Sequence, residues 1–118
     1  MSINATYSCT ISYAGDISFG PESFADANNN ASPGQIQIIN LALGDNTITP
    51  PTGGTTPVGV VIFPPASNAI VLTLKGVGAD TGIQIHKTLQ TKLSLNSPTG
   101  TFVLNAASAL TGMRLIWI

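Results

Sequence analysis

From Ser2 to Tyr13 the chain alternates without a break between polar and apolar residues. Ile3, Ala5, Tyr7, Cys9, Ile11 and Tyr13 fall on one side of an extended backbone, and Ser2, Asn4, Thr6, Ser8, Thr10 and Ser12 on the other. Period-two alternation over a dozen residues specifies a strand with one buried and one wet face. Cys9 stands in the apolar row and reads as a small core residue. The pattern returns throughout the chain. Ile70, Leu72 and Leu74 alternate with Val71, Thr73 and Lys75; the pairs Ile83/Ile85, Leu93/Leu95 and Phe102/Leu104 do the same; Met113 to Ile118 closes on a strand. Val58 to Phe63 is an apolar, β-branched run ended by Pro64-Pro65. Ile36 to Leu43 is a further strand in which Ile39 adds apolar character to the second face, so it should be covered on both sides or lie at a subunit contact.

Turn signals separate these runs. Ala14-Gly15-Asp16 is followed by a resumed alternation at Ile17 and Phe19. Gly20-Pro21-Glu22 then breaks the pattern, and residues 21–27 suit a short helical turn because proline fits a first helical position. Asn28 to Gly34 reads as loop. Asn46 to Gly59 carries Pro50-Pro51 and Gly53-Gly54, which interrupt pairing, so this Thr/Pro/Gly-rich stretch is expected to be a projecting loop or arm after a short strand at 47–49. Nothing in the chain carries an amphipathic helical stripe. Eight or nine short strands with turns about every 8–12 residues argue for an all-β, antiparallel β-sandwich of jelly-roll-like form, in one domain over residues 1–118.

Composition narrows the function classes. Only 8% of residues are charged, against about 25% in a typical soluble domain; 14 Thr and 10 Ser supply much of the polarity instead. Asp16, Glu22, Asp26 and Asp45 precede the first basic residue, Lys75, which Lys87, Lys92 and Arg114 follow. Four scattered cations cannot track a phosphate backbone, so no nucleic-acid partner is expected. Low charge weakens self-repulsion and permits many copies to pack closely. The single cysteine leaves no intrachain disulfide or cysteine metal site. No signal peptide and no membrane-spanning run are apparent, so synthesis in the cytoplasm and no membrane partner are expected.

Candidate chemistry is sparse. Asp80-Thr81-Gly82 resembles the signature triplet of aspartic proteases, whose retroviral members are all-β homodimers sharing one proton between two aspartates. Gly78-Ala79 replaces the family's apolar run before the aspartate, and only 36 residues follow Gly82; a turn between strands is the simpler reading. Asp26, Asn28 and Asn30 alternate like the start of a calcium loop, but Ala31 and Gln37 stand where glycine and a bidentate glutamate are needed. His86, the one histidine, points away from the Ile83/Ile85 face. Tyr7, Tyr13, Phe19, Phe24, Phe63, Phe102 and Trp117 are spread among apolar rows and read as core. No catalytic residue, metal or cofactor is expected.

The stretch Ile70-Val71-Leu72-Thr73-Leu74-Lys75-Gly76-Val77, then Asp80-Thr81-Gly82-Ile83, then Arg114-Leu115-Ile116-Trp117-Ile118 resembles small virion structural proteins of tailed bacteriophages, over roughly residues 58–118. The resemblance implies a homo-oligomeric capsid-decorating, spike or tail-associated part of a virion, with other virion proteins as partners. A glycan- or receptor-binding module, reading a host-surface glycan, is the alternative. Leu115, Ile116, Trp117 and Ile118 are expected at or beside the subunit contact. Alternation puts apolar side chains on both faces of this last strand, and a partner subunit would cover the second face of a small domain. A closed ring such as a trimer is the favoured form.

Overall fold

The computed structural model describes residues 3–11, 22–31, 36–52, 56–95 and 101–118, with the backbone alone for 3–5, 22 and 26–31. Ten strands lie among them: β1 (Ile3–Ile11), β2 (Glu22–Ala31), β3 (Ile36–Leu41), β4 (Gly44–Ile48), β5 (Gly59–Phe63), β6 (Leu72–Lys75), β7 (Ile83–Ile85), β8 (Thr91–Ser94), β9 (Phe102–Ala106) and β10 (Leu110–Trp117). All pairing is antiparallel. β1 and β2 form a two-stranded ribbon, and the other eight strands form two four-stranded sheets ordered β3-β10-β5-β8 and β4-β9-β6-β7.

This order has a simple generating rule. Strands pair in nested fashion, β3 with β10, β4 with β9, β5 with β8 and β6 with β7. That is one long antiparallel hairpin centred on the β6–β7 turn. The hairpin is then rolled, which brings β10 against β5 and β9 against β6. A rolled hairpin of eight strands in two facing sheets is the jelly roll.

The core is the gap between the two sheets. Leu41, Val60, Ile62, Leu110, Met113, Leu115 and Trp117 enter from one sheet, and Ile48, Leu72, Phe102, Leu104 and Ala106 from the other. Trp117 is fully buried and meets Phe102 across the gap, with ring centroids 6.2 Å apart and planes tilted by 47°. Its indole Nε1–H donates to Gln37 Oε1 at 3.1 Å, which removes the cost of burying that donor. Ile118 is held by its own backbone: its N–H donates to Gly59 O at 2.9 Å, and its carbonyl accepts from Val58 N–H.

Side-chain amides fix the corners where the chain crosses between sheets. Asn46 Nδ2 donates to the carbonyls of Ala42, Gly44 and Leu104, while its Oδ1 accepts from Ala42 N–H. Asn68, buried, donates to the carbonyls of Ile70 and Lys87 and accepts from Ile70 N–H, tying the β5–β6 and β7–β8 connections together. Gly82, at φ +78°, closes the β6–β7 turn where a Cβ would lie 2.6 Å from Leu74 O.

Several segments differ from the sequence expectation. Glu22–Ala31 forms strand rather than a helical turn and the start of a loop, because β1 offers a ladder of main-chain partners to β2; 32–34 lie outside the described residues. The described residues thus hold ten strands, eight of them in the two facing sheets. Asn46 to Ile48 belongs to β4 and Gly59 begins β5, so the Pro/Gly stretch reduces to the connection between them, of which 53–55 lie outside the described residues. The turn at Ala14-Gly15-Asp16, Tyr13 and Phe19 also lie outside. Phe24 is 52% exposed and Cys9 only half-buried, because the ribbon pairs with itself and joins neither body sheet.

Trp117→Ala is expected to cost about 3–5 kcal/mol, read as a lower urea midpoint at unchanged slope. Deleting Leu115–Ile118 removes the far half of a central strand and should abolish folding, which loss of the β-type circular dichroism signal would report.

Candidate binding surface

β10 is a central strand, flanked by β3 and β5, and its alternation sorts the four C-terminal residues. Leu115 and Trp117 belong to the core between the sheets, and Ile118, outside that cluster, is only 2% exposed, so the chain itself covers these three. Ile116 points the other way and is half-buried. Of the four residues singled out in the sequence, it alone contributes to an outer surface.

The surface it joins is built by register. Ile116 stands opposite Ile36 on one side and Val61 on the other, and Val61 opposite Lys92. The next row is Ile38, Arg114 and Phe63. Two cross-strand rows thus run over the outer face of the β3-β10-β5-β8 sheet, and five of their seven residues are apolar. The outer face of an antiparallel sheet normally carries polar residues. Towards β5 the first row is covered, since Val61 is 4% exposed; towards the edge strand β3 it is open, with Ile36 at 64% and Ile38 at 75%. An exposed apolar edge strand is a template for further pairing unless something covers it.

Both aromatic rings at this face carry a cation. The Arg114 guanidinium lies 4.7 Å from the Phe63 ring centroid, and Lys92 Nζ lies 5.4 Å from the centroid of Tyr7 in the ribbon. Such contacts contribute about 0.5–1 kcal/mol at exposed sites. Lys92 Nζ also donates to Ser94 Oγ at 2.8 Å. Arg114, Phe63, Ile38, Pro64, Pro65 and Gly112 line an open groove of about 440 Å³. Its chemistry is an apolar floor with one guanidinium, which suits an apolar segment bearing a carboxylate. A second cleft, of about 280 Å³, opens at the other side of β3 between Gln37, Ile39, Asn46 and Ile48.

The residues considered for catalysis or metal binding have local partners. Asp80 Oδ2 accepts Val77 N–H at 2.9 Å, and its own N–H donates to Val77 O, so the Asp80-Thr81-Gly82 carboxylate is tied into the β6–β7 turn. His86 Nδ1 accepts the backbone N–H groups of Thr88 and Leu89 at 3.1 and 3.0 Å. Asp26, Asn28 and Asn30 lie on strand β2, not on a loop. Among the described residues no three His, Cys, Asp or Glu groups are placed to hold a metal ion.

A polar cluster marks the outer face of the opposite sheet. Asp45 Oδ1 accepts from Asn105 Nδ2 at 2.7 Å and from Lys75 Nζ at 3.1 Å. Hydrogen bonding from Asn105 first, then from Lys75, holds the Asp45 carboxyl below its ordinary pKa; desolvation opposes this and the Lys75 charge adds to it. The two outer faces are therefore unlike, one hydrogen-bonded and polar, the other apolar and cationic.

Comparison with known proteins gives no matching family model, no matching curated protein and no matching solved structure.

The Asp45 cluster has a pH signature. A carboxyl whose folded-state pKa is depressed adds stability above its unfolded value, about 3.9, and loses it as pH falls through the folded value. Unfolding free energy should therefore fall with acid below about pH 4, and Asp45→Asn should flatten that acid limb while leaving its slope near neutrality unchanged.

Proposed function

We propose that this chain is a non-catalytic structural component of a phage particle that works by homo-oligomeric assembly, as a capsid-decorating, spike or tail-associated part. The observation that carries the reading is the apolar pair of rows on the outer face of one sheet, open at Ile36 and Ile38. Exposed apolar surface of this kind marks a site of association. The jelly roll is a fold that viral capsid domains and lectins share, so it agrees with the reading without establishing it. A chain with 8% charged residues also tolerates close packing of like copies.

The glycan-binding alternative is less well supported by this surface. Sugar rings stack on open aromatic faces, and here Phe63 lies under Arg114 and Tyr7 under Lys92. The protease alternative is opposed by the turn-capping role of Asp80. Leu115, Trp117 and Ile118 would support assembly from within, by holding β10 in place, and Ile116 would lie at the contact.

Mass spectrometry of purified particles is expected to find the chain at a fixed, multiple copy number, and light scattering to find an oligomer at micromolar concentration. A stable monomer, or particles without it, would overturn the assembly reading.

A further inference from the structure

The chain carries two incomplete apolar surfaces of opposite charge. The first is the open part of the β3-β10-β5-β8 face, with Ile36, Ile38 and the Arg114/Phe63 groove. Strands β3, β5, β8 and β10 contain Lys92 and Arg114 and no Asp or Glu. The second is the apolar side of the β1–β2 ribbon, where Cys9 stands opposite Phe24 and Ile11 opposite Glu22. Ile11 is 44% exposed and Phe24 52%. β1 and β2 contain Glu22 and Asp26 and no Lys or Arg.

The two surfaces meet at Tyr7, which lies beneath Lys92 at the β8 side of the sheet. That contact shows the kind of fit the ribbon and the sheet make, an aromatic or apolar side chain of the ribbon against a cation of the face. Away from it, Ile11 and Phe24 on the ribbon and Ile36 and Ile38 on the sheet are all exposed.

We infer that the Ile11/Phe24 end of the ribbon, which carries Glu22 opposite Ile11, docks on the β3 side of this face, beside Arg114, in a second copy of the chain. The reading rests on the homo-oligomeric assembly proposed above and names its interface. Patch and receptor are different surfaces of one molecule, so the contact is heterologous. Repeated from copy to copy, it produces a closed ring if the rotation closes and a filament if it does not. Charge complementarity selects the partner, because face against face would bring Arg114 and Lys92 to their own images, and ribbon against ribbon would do the same for Glu22 and Asp26.

The native chain supplies a probe, since Cys9 is its single cysteine and lies on the ribbon. Ile38→Cys places a second thiol at a site exposed enough to leave folding intact, and Thr47→Cys places one on the outer face of the opposite sheet as control. Full-length chains are oxidised mildly and run without reductant, with light scattering of the wild type alongside. The expected result is interchain cross-linking in Ile38→Cys, abolished by adding Cys9→Ser, and no comparable linking in Thr47→Cys. Adding Arg114→Glu to Ile38→Cys should slow the linking about tenfold, by setting like charges together. An oligomeric wild type whose Ile38→Cys variant links no faster than Thr47→Cys, links to its own Cys9, or ignores Arg114→Glu overturns the docking while leaving assembly standing. A monomeric wild type overturns both.

Discussion

The roll of the long hairpin depends on two main-chain pairings, β10 with β5 and β9 with β6. The nested pairs alone would give an extended ribbon with each face half in water. Joining β10 to β5 makes a four-stranded sheet from the β3–β10 and β5–β8 pairs, and joining β9 to β6 makes the other from the β4–β9 and β6–β7 pairs. Only then do two apolar faces oppose each other and enclose Leu72, Leu104, Met113, Leu115 and Trp117. The backbone pairing and the burial are one event, since neither sheet has a covered face without the other.

The roll also decides what the last strand does. Once β10 is central, its inward residues are satisfied by the chain itself, and its outward residues become the middle of a surface. Arg114 and Ile116 are therefore the centre of the outer face, with Ile36 and Ile38 at its open side and Val61 and Phe63 at its covered side. The same strand that closes the core organises the candidate contact. That link makes core stability and assembly difficult to separate by deletion, and it favours probes on β3, where exposure is high and the core is not touched.

The ribbon is the element least explained by the core. It satisfies its own backbone through the β1–β2 ladder, yet a two-stranded sheet alone is marginal in water. Its apolar row is half covered, and Thr10 Oγ1 bonds Ser23 Oγ on its polar side at 3.0 Å. Among its described residues, Ile11 and Phe24 of that row stay exposed.

Fold class was legible because strand patterning is local: period two in β1, β6, β8, β9 and β10, with Pro and Gly between, needs no tertiary information. The unusual second apolar face of the Ile36 strand was legible too, since Ile36, Ile38, Ile39 and Leu41 stand in one short run. β2 was not, because Ser23, Ala25 and Ala27 are small residues with weak strand preference, and the pairing with β1 is what holds them extended. Nor could alternation tell which face of a strand meets the core. Cys9 and Trp117 stand in equally clean apolar rows, yet one is half in water and the other fully buried. Period-two patterning and composition were enough for a set of short strands with low charge. It took tertiary pairing to decide that eight of them roll into a sandwich, that Ile116 and Arg114 share a face with Ile36, Ile38 and Phe63, and that the acidic ribbon pairs with neither sheet. The reason is physical: side-chain period is set along a strand by covalent geometry, whereas the neighbours of a row are set by register between strands distant in sequence.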